Sequence, residues 1–236
     1  MKTQRSNIDN PECIYQDDDL LIINKPPGLL SIPDGYDSSL PHLKSVLKPI
    51  YGNLWIVHRL DKETSGIMLL ARNKDAHRKL NESFRERRIK KTYHGLVTPL
   101  PNWREMHIKQ PLKPNADRKH RTRVDQVNGK IAETVCKVIK RAAYGALMEI
   151  NILTGITHQI RAHLRTLDLI LFGESLYNAG LPSLPFPVQR LMLHARFIGF
   201  KHPSHGEWIR FEAPYPNDFR VVYTKLLITT IRDVMT

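Results

Sequence analysis

Alternating and helically spaced hydrophobic residues predict most of the elements of this chain. Residues 13–16 and 20–24 are short apolar runs separated by three aspartates, a pattern typical of two strands joined by a turn. Residues 146–153 alternate apolar and polar positions, and residues 191–200 and 207–211 predict a late hairpin. Apolar residues recur at helical spacing in three sets: Ala76, Leu80 and Phe84; Ile160, Leu164 and Leu167; and Phe219, Val222, Leu226 and Val234.

The order of these elements indicates the fold class. The predicted strands outnumber the helices and do not alternate regularly with them, as the strands of a doubly wound sheet would. We therefore predict an α+β protein with a mostly antiparallel mixed β-sheet, flanking helices and a central cleft. Because no segment has the composition of a linker, we expect a polar tail over residues 1–10, one domain over residues 11–216 and a C-terminal helix over residues 217–236.

Length and composition exclude several classes of protein. The 236 residues are 41% hydrophobic, which suits a globular core and excludes a mainly disordered chain. The longest apolar stretches are far shorter than the roughly 20 residues that cross a bilayer, and the N-terminus lacks the apolar block of a secretory signal. Cys13 and Cys136 lie far apart in the sequence, so we expect two reduced, half-buried strand residues and a cytoplasmic protein.

The positive charge is concentrated in two segments. The formal net charge is +13, and residues 74–91 carry eight basic and three acidic residues while residues 113–130 carry six and two. Concentrated like charge repels itself unless a polyanion neutralises it, so nucleic acid is the first candidate partner and an anionic membrane the second. The chain has no amphipathic basic helix with Trp or Phe on its other face, which favours nucleic acid.

The second basic segment is predicted to be a loop between strands. It begins at Pro114-Asn115 and ends at Asn128-Gly129, and both pairs are typical of turns. The basic side chains of the loop that we expect to contact nucleic acid are Arg118, Lys119, Arg121 and Arg123.

Ionisable and hydroxyl side chains gather in front of one apolar strand. Residues 58–66 read HRLDKETSG and lead into the apolar run 67–71. Asp61 has two interpretations in this position. It forms a turn with the help of Thr64 and Ser65, or it belongs to a functional site at the entrance of the strand.

A second polar cluster favours the functional interpretation. Residues 154–163 read as a turn followed by a helix, and we expect Thr157 to be its N-cap. His158, Arg161 and Arg165 fall on the polar face of that helix, so a guanidinium is available. A metal site is a poor alternative, because His158 and His163 are five residues apart and no cysteine or carboxylate accompanies them.

These segments resemble one family, the RluA-type pseudouridine synthases. Residues 17–29 are similar to its opening strand and Lys-Pro-x-Gly turn, and residues 58–66 match its catalytic motif, His-Arg-Leu-Asp-x-x-Thr-Ser-Gly, at every fixed position. Residues 91–93 are similar to its Lys-x-Tyr strand, residues 155–163 to its Gly-Arg-x-His-Gln-Ile-Arg-x-His segment and residues 190–195 to a late core strand.

The resemblance implies an RNA-modifying isomerase whose catalytic domain spans residues 11–216. Its reaction breaks the bond from the ribose to the base nitrogen, turns the uracil and rejoins it through carbon, so it implies neither metal nor cofactor. Asp61 is the implied essential carboxylate, acting as nucleophile on the sugar or as base toward a ribose proton, with Arg161 favouring its ionised form. Tyr93 is implied to stack on the flipped uracil and to assist removal of the proton from its carbon.

The resemblance also implies contacts to the RNA. Arg59 is expected to fill the space left by the flipped base. His58, Thr64 and Ser65 are expected to shape the catalytic loop, residues 58–66. Besides Arg59, the residues expected at the RNA are His58, Thr64, Lys91, His158 and Gln159. The partner would be a stem-loop of tRNA or ribosomal RNA, bound by a monomer.

Two positions depart from the family pattern, and two other functions stay open. Ile156 stands where the family usually has Arg, and Glu174 stands where a Gly-Asp pair is expected, which affects RNA positioning more than chemistry. Because only about ten residues precede the first predicted strand, we expect the accessory N-terminal RNA-binding domain of many relatives to be absent. The alternatives are a uracil-releasing glycosidase, for which Glu63 is the only nearby second carboxylate, and a catalytically silent RNA-binding protein or chaperone.

Overall fold

A computed structural model describes residues 10–180, 184 and 186–234 of the chain. The helices in that part are α1 Leu43–Tyr51, α2 Lys74–Arg85, α3 Gln159–Arg165 and α4 Asn217–Val234. The strands are β1 Glu12–Gln16, β2 Leu20–Lys25, β3 Trp55–Ile56, β4 Ser65–Ala71, β5 Lys90–Thr98, β6 Glu105–Lys109, β7 Leu112–Lys113, β8 Arg123–Val124, β9 Glu133–Ala142, β10 Gly145–Ile152, β11 Ile170–Leu171, β12 Leu193–Lys201 and β13 Trp208–Glu212.

One large sheet organises the molecule. Its strand order is β1-β2-β4-β12-β5-β10-β9-β6, with β3 paired to β4, β11 to β5 and β13 to β12. The pair β12–β4 is parallel, and the other described pairs of this sheet are antiparallel. The strands β7 and β8 form a separate two-stranded sheet. The predicted α+β class with a mostly antiparallel mixed sheet is therefore confirmed.

Strand β4 runs through the centre of the core. All seven of its residues are buried, as expected for a strand that is covered on both faces. Its first residues are fixed by the parallel neighbour β12, because the Ser65 hydroxyl is hydrogen-bonded to Nδ1 of His194 at 3.0 Å. A side chain at Gly66 would begin 2.3 Å from the Ala195 carbonyl oxygen, so this close approach requires glycine. The chain therefore enters β4 at a defined position.

The predicted helices and strands are found, with some corrected boundaries. Helix α2 buries Ala76 and Leu80, and α4 buries Phe219 and Leu226, as their spacing predicts. Helix α1 was not predicted. It carries Pro49 in its last turn and begins at an unusual N-cap, His42, so the common start signal is missing, although Lys48 and Gly52 at its end are ordinary stop signals.

The predicted start of α3 is wrong. Its N-cap is His158, not Thr157, and His158 has left-handed backbone angles and no side-chain capping bond. In the preceding loop the Thr157 carbonyl accepts a hydrogen bond from the Thr122 hydroxyl, and the first bond of the helix runs from the Ala162 amide to the His158 carbonyl. The helix ends at Arg165, so Leu167 packs against the core from the turn that follows.

The two cysteines are unpaired, as expected, but their predicted half-burial is wrong for both. Cys13 lies on the edge strand β1 and is exposed, whereas Cys136 lies on β9 and is buried. Burial raises the pKa of the Cys136 thiol to about 12. The N-terminal tail lies outside the described residues except for Asn10. Across the described part of the chain, no helix is long and apolar enough to cross a membrane.

Candidate active site

A cavity of about 420 Å³ opens where the loop before β4 meets the end of α2, strand β5 and the start of α3. Both sequence motifs contribute to its wall, although about a hundred residues separate them. The predicted site residues that line it are His58, Arg59, Asp61, Thr64, Lys91, Tyr93, His158, Gln159 and Arg161.

Asp61 faces two nitrogen-bearing side chains from α3 and its cap. Its Oδ2 lies 3.7 Å from Nε2 of His158 and 3.9 Å from Nη1 of Arg161. These distances are longer than direct hydrogen bonds, and the Asp61 side chain keeps 23% of its surface exposed. The carboxylate is thus oriented toward a cation while one side stays open to the cavity.

Arg161 is held by a second carboxylate. Its Nε donates to Oε2 of Glu174 at 2.8 Å and its Nη2 donates to Oε1 at 2.6 Å, a bidentate pair in which the Glu174 side chain is 1% exposed. Burial alone would raise the pKa of Glu174, but the hydrogen bonds and charge of Arg161 outweigh it and lower that pKa. The pair fixes the guanidinium and leaves Nη1 toward Asp61.

Tyr177 supports the same guanidinium from its face. The Arg161 guanidinium carbon lies 5.1 Å from the Tyr177 ring centroid, within the range of a cation–π contact. The Tyr177 hydroxyl accepts a hydrogen bond from the Thr122 amide at 2.7 Å and lies 3.3 Å from Nδ1 of His158. Tyr177 therefore connects the loop that carries Thr122 to the residues around Asp61.

Two buried cations hold the backbone behind Asp61. Lys25 is fully buried, and its Nζ donates to the carbonyl oxygens of Pro26, Leu29 and Lys62. Burial lowers the pKa of Lys25 to about 7. Arg190 donates from Nη1 to the carbonyl of Glu63 at 3.3 Å. Successive carbonyls of the loop after Asp61 are thus fixed by two separate side chains.

Tyr93 and Lys91 project from β5 into the cavity. Tyr93 is 8% exposed, and burial, followed by the charge of Asp61, raises the pKa of its hydroxyl well above the ordinary value. Burial lowers the pKa of Lys91 to about 8, and its Nζ lies 5.8 Å from the ring centroid of Phe84. The same wall of the cavity therefore carries the neutral phenol of Tyr93 and the ammonium group of Lys91, which loses its proton more readily than an exposed lysine does.

His58 and Thr64 form the two ends of the catalytic loop. The His58 ring stacks on Phe84 with centroids 5.0 Å apart, and its Nε2 accepts a hydrogen bond from the Leu69 amide at 2.9 Å. Burial, followed by the charge of Lys91, lowers the pKa of His58 to about 3. The Thr64 hydroxyl is buried and has no hydrogen-bond partner among the described residues. Both contacts of His58 thus stabilise the fold, whereas the Thr64 hydroxyl makes no hydrogen bond within the described part of the chain.

Gln159 has a role different from the predicted RNA contact. Its Oε1 accepts hydrogen bonds from the Thr154 hydroxyl and the Ile156 amide, and its Nε2 donates to the Glu133 carbonyl and the Thr134 hydroxyl. These four bonds fill the capacity of an amide side chain. Gln159 is 3% exposed and shapes the loop before α3, so it has no donor or acceptor left for RNA.

The basic loop forms a short hairpin beside the cavity. Arg118 and Lys119 are exposed, but Arg121 and Arg123 share one carboxylate, that of Asp117, at 2.7 and 2.9 Å. Asp117 also accepts hydrogen bonds from the amides of Lys119 and Arg121. Two of the four predicted contacts therefore also hold the hairpin together.

Several residues of the site were missed by sequence reasoning. Glu174 was treated only as a departure from a pattern, although its bonds fix Arg161. Lys25 and Arg190 lie in segments that resemble the family, but nothing in the sequence indicates that their side chains are buried. Arg85 and Arg87 reach the cavity from the end of α2, and the only signal for them was the basic character of residues 74–91.

Comparison with known proteins agrees with this arrangement. The family described as RNA pseudouridylate synthase matches residues 19–166. The dual-specificity RNA pseudouridine synthase RluA of Escherichia coli (strain K12) is 34% identical over 202 residues, which cover 85% of this chain and 91% of that enzyme. The ribosomal large subunit pseudouridine synthase D of Zymomonas mobilis is 33% identical over 235 residues, covering 92% of this chain and 73% of that enzyme.

The fold is similar to that of a solved human protein. Human RNA pseudouridylate synthase domain containing 4 superposes with a TM-score of 0.75 at 26% sequence identity, covering 91% of this chain and 92% of that one. This match covers a larger share of the chain than residues 19–166, the part that matches the family.

Proposed function

This chain belongs to the RluA family of RNA pseudouridine synthases, which are isomerases, and we propose that it converts specific uridines of structured tRNA, ribosomal RNA or both to pseudouridine. The observation that carries the proposal is the position of Asp61. It is the one carboxylate among the described residues that line the cavity, and it faces Arg161 there.

Asp61 is the proposed reacting group, as nucleophile on the ribose carbon or as base toward a ribose proton. Both roles need the ionised carboxylate, and the Arg161 guanidinium lies 3.9 Å from it. The base is released from one nitrogen, turns, and is rejoined to the same sugar carbon through a ring carbon. The ring carbon loses a proton and the freed nitrogen gains one, so no outside group is consumed.

The other proposed roles follow from the lining of the cavity. Tyr93 stacks on the flipped uracil, which is worth about 1–3 kcal/mol per base and offsets part of the cost of extrusion. Its raised pKa keeps the phenol neutral, which supports stacking over proton removal. Arg59, Lys91 and His158 contact the nucleotide or its neighbours from the cavity rim.

The proposed substrate is an RNA stem-loop, bound by a monomer in the cytoplasm. Arg85 and Arg87 line the cavity at the end of α2, and the basic hairpin is joined through Thr122 to Tyr177, the ring beside Arg161. Both segments thus supply cations for a polyanionic strand. The relatives divide between a dual-specificity enzyme and a ribosomal large subunit enzyme, so the choice between tRNA and ribosomal RNA is a separate question. The two unpaired cysteines fit a reducing compartment.

The test begins in cells and ends with a purified protein. Pseudouridines in total RNA are mapped with and without the gene, and the uridine that loses its modification defines the substrate. Wild type and Asp61→Asn are then compared on that RNA. The substitution keeps the shape and removes the reacting charge, so we expect no detectable pseudouridine at an RNA affinity within a few-fold of wild type.

Three results would contradict the proposal. Turnover of Asp61→Asn near the wild-type rate would remove Asp61 from the chemistry. An unchanged pseudouridine map together with tight RNA binding would favour the silent RNA-binding alternative. Release of free uracil by wild type would instead favour the glycosidase, although Glu63 is exposed and does not line the cavity.

A further inference from the structure

A second cavity, of about 340 Å³, lies on the outer side of α3. Three arginines line it: Arg121 and Arg123 from the basic hairpin, and Arg165 from the last turn of α3. Tyr177 also lines this cavity, and the same ring makes the cation–π contact with Arg161 of the active site. The two cavities are therefore neighbours on either side of one aromatic ring.

The arginines of this second cavity are only partly neutralised. Arg121 and Arg123 share the single carboxylate of Asp117, and Arg165 pairs with Asp168 at 2.6 Å. Three guanidinium charges thus meet two carboxylates, and the side chain of Asp168 is 83% exposed, where an ion pair is weak. Among the described residues, the Arg121 guanidinium uses only its Nε–H, so its two terminal nitrogens are available to a ligand.

The hairpin and the helix hold these arginines at a fixed place relative to Asp61. Arg161 and Arg165 are four residues apart on α3 and so lie on one face, one turn from each other. On the hairpin, Thr122 is anchored by its amide to the Tyr177 hydroxyl and by its own hydroxyl to the Thr157 carbonyl. An anion in the second cavity would lie about one helical turn from the guanidinium that faces Asp61.

We propose that this arginine-lined cavity binds a backbone phosphate of the RNA strand next to the flipped nucleotide. The inference rests on the proposed function and adds a binding site to it. A planar guanidinium matches phosphate oxygens in a bidentate manner and holds them without reading sequence. The bound phosphate would fix how far the target nucleotide is drawn toward Asp61.

The first experiment compares Arg165→Gln with Arg78→Gln. Arg78 is a matched control, because it is also a helical arginine paired with an aspartate three residues away, at 2.8 Å, and it lines neither cavity. RNA affinity is measured against salt in the Asp61→Asn background, so that the RNA stays unconverted. We expect Arg165→Gln to reduce the salt slope by about 0.7–0.9, the value of one phosphate contact, and Arg78→Gln to change it less.

The second experiment locates the phosphate. Single methylphosphonates, which remove one backbone charge, are placed in turn on each side of the target uridine. At one position we expect the methylphosphonate to weaken binding to the protein that carries Arg165 but not to Arg165→Gln, since that variant no longer contacts the phosphate. Binding in this assay does not depend on pseudouridine formation, so a failure of the proposed activity would be seen separately, in the turnover of the chain with Asp61 intact.

Three results would contradict the proposed phosphate site. Equal salt slopes for Arg165→Gln and Arg78→Gln, or a methylphosphonate scan that is the same with and without Arg165, would overturn the proposal. So would stabilisation of the protein by inorganic phosphate that needs Arg165 while RNA affinity does not, because the site would then serve a free anion. Thermal unfolding of both variants checks that the hairpin and α3 are intact.

Discussion

Glu174 holds Arg161 in a bidentate pair, at 2.8 and 2.6 Å, and the third guanidinium nitrogen is left 3.9 Å from Asp61. The two carboxylates therefore compete for one cation at very different distances. The tighter bonds go to Glu174, and the looser contact goes to Asp61, the proposed reacting group. Such an arrangement places a positive charge beside Asp61 without tying the carboxylate to a direct hydrogen bond.

We predict that Glu174→Gln lowers the single-turnover rate about 10- to 100-fold and leaves RNA affinity within a few-fold. The amide keeps the shape but lacks the charge that orients Arg161, and the loss corresponds to about 1.4–2.8 kcal/mol of transition-state stabilisation. Glu174→Asp, which restores a carboxylate, should recover part of the rate. Asp75→Asn, which breaks an exposed ion pair with Arg78, is the control and should behave as wild type. A normal rate for Glu174→Gln would mean that Arg161 is oriented by Tyr177 alone.

The C-terminal helix is connected to the catalytic loop through Arg190. Asp218, in the first turn of α4, accepts hydrogen bonds from Nε and Nη2 of Arg190, whose Nη1 donates to the Glu63 carbonyl. We predict that Asp218→Ala destabilises the fold by about 1–3 kcal/mol and lowers the turnover rate more than it changes RNA affinity. The control is Glu212→Gln, which removes the carboxylate of the similarly exposed Arg196–Glu212 pair. Equal effects of the two variants on turnover would show that the connection to the loop is irrelevant to catalysis.

The sequence predicted the parts of this site that depend on local order. The run of residues 58–66 before an apolar strand located Asp61, and helical spacing located Arg161. What could not be predicted depends on pairing across the sheet. The burial of Lys25 arises only when β2 pairs with β4 and the loop before β4 covers its side chain. The bidentate pair arises only when Glu174, in the turn after β11, meets Arg161 on α3. Burial reverses the ordinary expectation for a lysine, which is exposed in most proteins.

The same limit applies to polar residues that sequence reasoning assigned to RNA. Gln159 follows a histidine at the start of a polar helix face, which is a reasonable place for a ligand contact. In the fold it lies against β9, and all four of its hydrogen bonds are made inside the protein. Thr157 was expected as N-cap for the same local reason, but its carbonyl is bonded to the distant Thr122 hydroxyl and the helix begins one residue later. Local propensity decides such positions only where no distant partner competes.

Acid should destabilise the protein through His58. The folded-state pKa of His58 is about 3, below its ordinary value of 6.5, so between these values the unfolded chain binds the proton more readily. The stabilisation of the fold by neutral His58 is therefore complete above pH 6.5 and is lost as the pH falls toward 3. His94 and His194, each lowered by burial to about 4, add to the same slope of stability against pH.

We predict that His58→Gln reduces the slope of unfolding free energy against pH between about 6.5 and 4, measured by urea denaturation at several pH values. The variant should be less stable than wild type at neutral pH, because the stacking on Phe84 is removed. His120→Asn is the control, since His120 is exposed in a left-handed turn position that asparagine tolerates. A slope as steep as that of wild type would assign the acid sensitivity to other groups.

The basic hairpin should contribute to affinity through its exposed pair. Replacing Arg118 and Lys119 together by Gln should flatten the salt dependence of RNA binding by up to about 0.7–0.9 for each phosphate that is no longer neutralised, without unfolding the hairpin. Extending the change to Arg121 and Arg123 should flatten it further but also loosen the hairpin, because both hold Asp117. The measurement is affinity over a range of salt concentrations, with hairpin integrity followed by limited proteolysis. An unchanged slope in the double variant would place the RNA elsewhere.

Arg59 allows base flipping to be tested apart from chemistry. It is exposed, lines the cavity two residues before Asp61, and has no ion-pair or hydrogen-bond partner among the described side chains. If its guanidinium fills the space left by the flipped nucleotide, Arg59→Ala should raise the cost of extrusion by some part of the few kcal/mol that unstacking requires. On a structured stem-loop we expect a loss of about 10- to 100-fold in single-turnover rate. On a version whose target uridine is bulged or single-stranded, the loss should be much smaller, because that uridine is already unstacked.

Lys62→Ala, which removes an exposed cation of the same loop, is the control and should lose equally little on both RNAs. Melting curves confirm that the variants are equally folded. If Arg59→Ala lost the same factor on both RNAs, Arg59 would act on the catalytic loop or on the charge of Asp61, and its role in flipping would have to be abandoned.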